Sequence, residues 1–271
     1  IHKNQADLDF AIQFFDEDIP LYVDPFLLWK SPSQQDNALY TTITNSFNHL
    51  NYLIKKKQED EALSILIDIS ECHEVGLGVS KTRKGTKISE KQAQDILSLF
   101  KDIPEYSQFG FTHFEIIQLY ISGISKDRIS DITCNYLKSF LIDYTIEQCE
   151  INKIPTEGVI LDSIYNYKTN KLDTNQKVYL PVNPLTKEPL IFTPKRWLRF
   201  NTWINYEDYF QKYCPRDEIF NPDEPEERVK VLNFNRENYG TIEGYIEYKT
   251  KASENCKNDP LFSQIPILSA K

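Results

Sequence analysis

The sequence predicts an α+β fold, a mixed β-sheet with flanking helices. Two observations carry this. Short apolar, β-branched and aromatic runs bounded by turn residues recur at 8–28, 113–122 and 178–194, and apolar residues at helical spacing fill much of the chain between them. Of 271 residues, 40% are hydrophobic and 13% aromatic, which is enough to bury a sizeable core and far from a disordered composition.

Taken in order, LDFAIQFFDEDIPLYVDPFLL (8–28) reads as two strands around the acidic turn Asp16-Glu17-Asp18, with Pro20 and Pro25 confining the second strand to an edge. From Asn37 to Lys57, Leu39, Ile43, Phe47, Leu50 and Ile54 recur at helical spacing, and Lys55-Lys56-Lys57 suits a helix C-terminus. Residues 59–70 predict a short helix, and the basic, Gly-bearing segment 73–89 leads to another at 89–101. HFEIIQLYIS (113–122) reads as a buried strand that turns through Gly123 into a long helix, 123–149. VYLPVNP (178–184) and PLIFTPKRWL (189–198) predict a hairpin around Leu185-Thr186-Lys187-Glu188, and 205–213 a helix. The expected division is an α+β domain over 1–214, a Pro- and acid-rich linker over 215–235, and a helical connector over 236–271 leading towards a domain absent from this chain.

A formal charge of −9 argues against nonspecific attraction to nucleic acid over the whole surface, so DNA or RNA contact would need a local basic patch. No apolar run approaches the ~20 residues needed to cross a bilayer, so no membrane partner is expected. The five cysteines are scattered, with no C-x-x-C pair and no ligand-like His spacing; this predicts a reducing, cytoplasmic setting and no structural zinc. The chain starts Ile-His-Lys and has no methionine, which predicts an incomplete sequence in which methionine positions have been dropped.

The constellation with most chemistry opens the 123–149 helix. Asp127, Asp131, Asn135 and Lys138 follow steps of four, four and three, which places them on one face beside an apolar stripe of Ile129, Ile132, Tyr136 and Phe140. Two carboxylates one turn apart can share a divalent cation, which makes Asp127, Asp131 and Asn135 the candidate catalytic residues and Mg²⁺ the cofactor if the protein is a nuclease; no other cofactor is evident. With Arg128 and Lys138 nearby, a salt-bridged structural ladder accounts for the same residues, and Ser130 or Asp127 would serve as a helix cap. In GLGVSKTRKGTK (76–87), glycines interleave with Lys81, Arg83, Lys84 and Lys87, a composition suited to an anion but matching no nucleotide-binding spacing. Lys195, Arg196 and Trp197 form a second basic-aromatic cluster suited to a phosphate and a base. Glu247-Tyr248-Lys249 matches the E-x-K of PD-(D/E)XK nucleases, but the stretch around it reads as helix more than strand. His49, His73 and His113 read as isolated.

Together, IPLYVDPFLL (19–28), LGVSKTRKGTK (77–87), SKDRISDITCNYLKSFLIDYTIEQC (125–149) and LPVNPLTKEPLIFTPKRWL (180–198) resemble a poorly characterised bacterial family of restriction or phage-defence type, over about residues 7–250. Its longer members carry a C-terminal PD-(D/E)XK-type nuclease module after this region. The resemblance implies an N-terminal recognition or regulatory domain of a nucleic-acid-targeting protein and assigns no catalytic role to the matching residues. The alternatives are a metal-dependent nuclease or phosphodiesterase using Asp127 and Asp131, and a module that senses a protein partner. The polar face at 127–135 is expected to hold a ligand, a metal or the 76–87 loop, with the loop favoured.

Overall fold

The structure, a computed structural model, describes residues 4–81, 83, 85–221 and 225–255. Lys84 of the expected basic loop, and residues 256–271 of the expected connector, lie outside the described residues.

The chain forms a two-residue strand β1 (Tyr22–Val23) and then α1 (Pro25–Trp29), opened by a proline at its first position and capped by Asp24, whose side chain accepts from the Phe26 N–H. Ser33 caps α2 (Gln34–Lys55), whose Tyr40, Ile43, Phe47, Leu50 and Leu53 are buried. Next come α3 (Glu59–Asp68), α4 (Glu90–Asp102), which starts at a Ser89–Gln92 capping box, and α5 (Pro104–Phe109). Beyond them lie α6 (Lys126–Tyr136), α7 (Lys138–Asn152), β2 (Glu157–Asn166), β3 (Lys171–Leu180), β4 (Leu198–Arg199), α8 (Tyr206–Lys212), α9 (Arg216–Ile219), α10 (Arg228–Glu237) and α11 (Tyr239–Asn255).

The class is α+β, with 54% helix and 12% strand, so helices and not a sheet dominate the frame. In place of one mixed sheet there are two small antiparallel ones: β1 pairs with β4 (Tyr22 opposite Arg199), and β2 with β3 (Glu157 opposite Leu180 through to Asn166 opposite Lys171). The 8–28 segment does not fold on itself. Phe10 bridges Pro194, Ile19 bridges Leu77, and the acidic turn is fixed outward by Asp18 N–H donating to Ser80 O at 2.9 Å. Two prolines had already removed two of the donors a hairpin would need.

The expected strand at 113–122 is a 3-10 helix, Phe114–Leu119. All six residues are buried, Glu115 and Gln118 included, and a short run buried on every side carries no periodicity to separate strand from helix. The single helix expected at 123–149 is two, because the chain bends at Leu137 (φ −97°, ψ 7°) while the apolar stripe runs on through the bend. The turn around Leu185–Glu188 forms, with Asn183 N–H donating to Glu188 O and Leu190 N–H to Pro181 O, but the hairpin expected from 178–184 and 189–198 is reduced to one bridge, Val182 opposite Pro189. The long partner of 171–180 is β2, which the sequence reading missed. Its signal was the alternation of Val159, Leu161, Ser163 and Tyr165 before an Asn-bearing turn, where Asn166 Oδ1 accepts from Lys168 N–H and Thr169 N–H.

One core runs through most of the described chain and includes Phe26, Phe47, Phe114, Ile129, Ile132 and Trp197, each nearly solvent-free and each contributing roughly 1.5–3 kcal/mol of hydrophobic stabilisation. Val231, Ile242 and Tyr245 belong to it too. The expected 215–235 linker thus carries α9 and most of α10, and α11 packs on the body of the molecule. A smaller cluster under the N-terminal segment stacks Phe10 on Phe192 (centroids 4.1 Å apart) beside Leu8, Cys149 and Leu190.

Candidate functional site

The polar face of α6 lies against segment 69–87. Arg128 is its hub: Nη1 donates to Ser70 O, to Glu71 Oε2 at 3.1 Å and to Asp131 Oδ2 at 3.3 Å, and Nη2 donates to Thr86 O at 2.7 Å. Two turns further, Asn135 Nδ2 donates to Ile69 O and Glu71 O, both at 2.8 Å. Lys138 forms a buried ion pair with Glu74 at 3.0 Å, and Glu74 Oε2 accepts from Cys72 Sγ at 3.6 Å. Ser130, inside the helix and not at its cap, accepts from the Val23 N–H at 2.9 Å and so ties α6 to β1. The face binds the backbone of its own neighbouring loop.

The electrostatics follow from that enclosure. Burial pushes the Asp131 carboxyl well above the usual carboxylate range, and Glu71 and Asp127 push the same way against Arg128. Burial also raises Asp127, and raises Asp18, across the loop, to about 6. Two glycines of the loop serve this closeness. Gly76 (φ +58°) and Gly78 (φ +128°) adopt left-handed backbone, and a Cβ on Gly78 would meet Asp127 Oδ1 at 2.6 Å. The space expected to cradle an anion is filled by side chains of the chain itself. Of the two carboxylates expected to share a cation, Asp131 is buried and accepts from Arg128 Nη1, while Asp127 lies against Gly78. Among the described residues no group of three His, Cys, Asp or Glu converges as a metal site would.

The expected basic groove is distributed differently. Arg83 is buried: Nη1 donates to Phe14 O at 2.8 Å, and Nη2 to Gln13 Oε1 and His73 O, both at 3.3 Å. Lys87 pairs with Asp68 at 2.5 Å, and Lys195 donates to Gln5 O at 2.8 Å. Arg196 clamps the Asp36 carboxylate at 3.0 and 2.8 Å, and Trp197 is a core residue. Lys81 is exposed. The 76–87 loop therefore lies with 13–18 and 70–71, while 195–197 lies with the start of α2 and with Gln5 and Asp9 of the N-terminal segment.

The profile of a family described as a domain of unknown function, DUF8370, matches residues 1–205. The chain belongs to this family. No curated protein and no solved structure matches it. The DUF8370 span takes in the α6 face, the 76–87 loop and the Arg196–Asp36 clamp, and it ends just before α8.

Within that span lies a buried group that the sequence reading left as an isolated histidine. His113 Nδ1 lies 2.7 Å from Tyr40 Oη and 3.1 Å from Glu115 Oε1, walled by Phe26 and Trp29. Nearby, burial raises Asp24 to about 6 despite Arg199 and the N–H groups of Trp203 and Phe26. Nothing in sequence joins Tyr40 to His113, which are 73 positions apart. Beyond the span, the E-x-K match dissolves: it lies on α11, where exposed Glu247 pairs with Lys251 and buried Lys249 donates to Asp208 Oδ2 at 2.7 Å. No helix among the described residues is long and apolar enough to cross a membrane.

Proposed function

We propose that this chain is a non-catalytic recognition domain of a nucleic-acid-targeting, phage-defence-type protein. The observation that carries the non-catalytic half is the α6 face, whose Arg128 and Asn135 direct their donors to Ser70 O, Thr86 O, Ile69 O and Glu71 O within the same molecule. Side chains that fasten a loop in this way are spent before a substrate arrives. The nucleic-acid half rests on the resemblance of the four quoted segments to a defence-type family. The test is incubation of purified protein with labelled single- and double-stranded DNA and RNA at low salt, with Mg²⁺ and Mn²⁺. The expected result is salt-sensitive binding without cleavage. Cleavage abolished by Asp131→Asn would restore the nuclease reading in its place, and absence of binding to every substrate would remove the nucleic-acid half.

A second reading, recognition of a protein partner, is favoured by one observation. Buried Arg83 and Asn183 lace together three loops, 13–18, 76–85 and 183–188, which carry exposed Phe14, Phe15, Val79 and Leu185. Exposed apolar side chains on loops held in place from beneath are suited to docking another protein. Pull-down with wild type against a Phe15→Ser/Leu185→Ser variant, followed by reconstitution with the purified captured protein, decides it; equal binding by both forms ends this reading.

A further inference from the structure

The face of α2 opposite its buried stripe is a groove. Thr42, Asn45, His49 and Tyr52 follow at steps of three, four and three and meet Tyr167 and Asn170 of the β2–β3 turn around a cavity of about 430 Å³. That is within the range of roughly 300–1,000 Å³ typical of small-ligand sites. A second cavity of about 290 Å³ adjoins it through the shared Thr42 and Tyr167, and is more apolar, with Leu39, Leu137 and Phe140 in its wall.

Three properties of the first chamber converge on one ligand chemistry. Tyr52 (52% exposed, stacked on His49 at 5.3 Å between centroids) and Tyr167 (47% exposed) are aromatic rings outside the core and partly open to solvent. Amides lie between them. Asn45 is exposed, with no side-chain hydrogen bond among the described residues, and Asn170 uses only its side-chain carbonyl oxygen, which accepts from Tyr165 Oη at 3.0 Å, so its amide hydrogens are on offer. Asn48, by contrast, is fully used on the Phe111 backbone and is structural. The lining residues include no carboxylate, in a chain with 40 Asp and Glu against 31 Lys and Arg. Lys56 and Lys168 stand over the two tyrosine rings at 5.5 and 5.9 Å. The charge of Glu61 acts on His49, and Asp143 lines the second chamber.

We propose that this groove is a nucleobase site, in which a base stacks on Tyr52 or Tyr167 and its polar edge meets Asn45 and Asn170. The proposal deepens the nucleic-acid reading above and rests on it for the class of partner. Stacking faces, amides with both donor and acceptor character, and flanking lysines are the means by which proteins hold unpaired strands; a duplex hides its base faces and does not fit. The same chemistry is carried by a free mononucleotide, so both sources enter the test.

The experiment is fluorescence anisotropy at low salt with fluorescein-labelled 12-nucleotide single strands of DNA and RNA, a blunt duplex, and unlabelled mononucleotides as competitors. Single strands are expected to bind more tightly than the duplex. Tyr52→Ala and Tyr167→Ala should each weaken binding roughly 5- to 100-fold. Tyr179→Ala, exposed on the outer face of the β2–β3 ribbon, should leave it unchanged, and circular dichroism melts should show all three variants folded. Competition by mononucleotides at millimolar concentration identifies the free nucleotide as a ligand; competition by strands alone identifies the strand. If wild type binds strands and a Tyr52→Ala/Tyr167→Ala variant binds them equally, the site is overturned while the recognition reading stands. Tyrosine-dependent binding of mononucleotides without any binding of strands keeps the site and overturns that reading. If wild type binds neither, both fall.

Discussion

The α6 face and the α2 groove are both rich in polar side chains, and they use them in opposite ways. On α6 and at the start of α7, Arg128, Asn135, Ser130 and Lys138 meet backbone or carboxylate partners at hydrogen-bond distance, and the acids beside them lie in a low-dielectric enclosure that raises Asp131 and Asp127. In the groove, Asn45 and Tyr52 of α2 and Tyr167 of the β2–β3 turn are exposed to solvent. The lesson is that a dense constellation of charges in a sequence marks fastening as readily as chemistry. The surface left for a ligand is the one whose polar groups the fold has not consumed.

The contrast can be broken most sharply at the fastened end. Replacing one member of the Lys138–Glu74 pair, as in Lys138→Met or Glu74→Gln, leaves a buried charge unpaired and should cost about 3–5 kcal/mol in urea denaturation. Lys138→Met with Glu74→Leu should recover much of that loss; a double variant as unstable as the sum of the singles would show that the pair is not coupled. Arg128→Ala should cost a similar ~3–5 kcal/mol, because Asp131 and Glu71 lose the cation between them. A smaller effect belongs to Arg83→Ala, about 2–3 kcal/mol from three lost bonds of a charged donor, and it should appear as reduced stability before any reduced binding.

The next prediction concerns pH. Asp24 is raised to about 6 in the folded state from 3.8, so the folded protein holds its proton more tightly than the unfolded chain does. Its contribution is fully present below pH 3.8 and is lost as pH rises through about 6. Asp24→Asn should therefore remove a downward slope in stability between those limits, and parallel pH profiles for variant and wild type would refute the assignment. The smallest effects belong to the open region: Tyr52→Ala and Tyr167→Ala should shift stability by no more than about 0.5 kcal/mol. A large loss at either would mean that the groove, too, is a fastening.

Much of the fastened region was legible from spacing alone. Steps of four, four and three place Asp127, Asp131, Asn135 and Lys138 on one face; the structure sets Arg128 and Asn135 chiefly against Ile69, Ser70 and Glu71, just before the favoured 76–87 loop, with Arg128 also reaching Thr86 inside it. The helix at 37–57 and the turn at 183–188 were legible for similar local reasons: one period, one set of turn residues. The bend at Leu137 was not, because an apolar stripe continues unbroken across it. Arg83 was misassigned because an arginine in a Gly-bearing loop looks solvated until Gln13 and Phe14, about 70 positions earlier, come to meet it. The α2 groove left only a helical periodicity of polar residues, which every surface helix shows.

The way the N-terminal segment is held has a consequence for how the protein is made. Gln5 O accepts from Lys195, 190 positions later, and Gln13 Nε2 donates to Ile191 O, 178 positions later. On a ribosome adding about 5–20 residues per second, the apolar LDFAIQFF stretch waits roughly 10–40 s before its partners exist. During translation this apolar segment emerges long before its partners and is among the last to be sheltered, so it is open to aggregation in the interval.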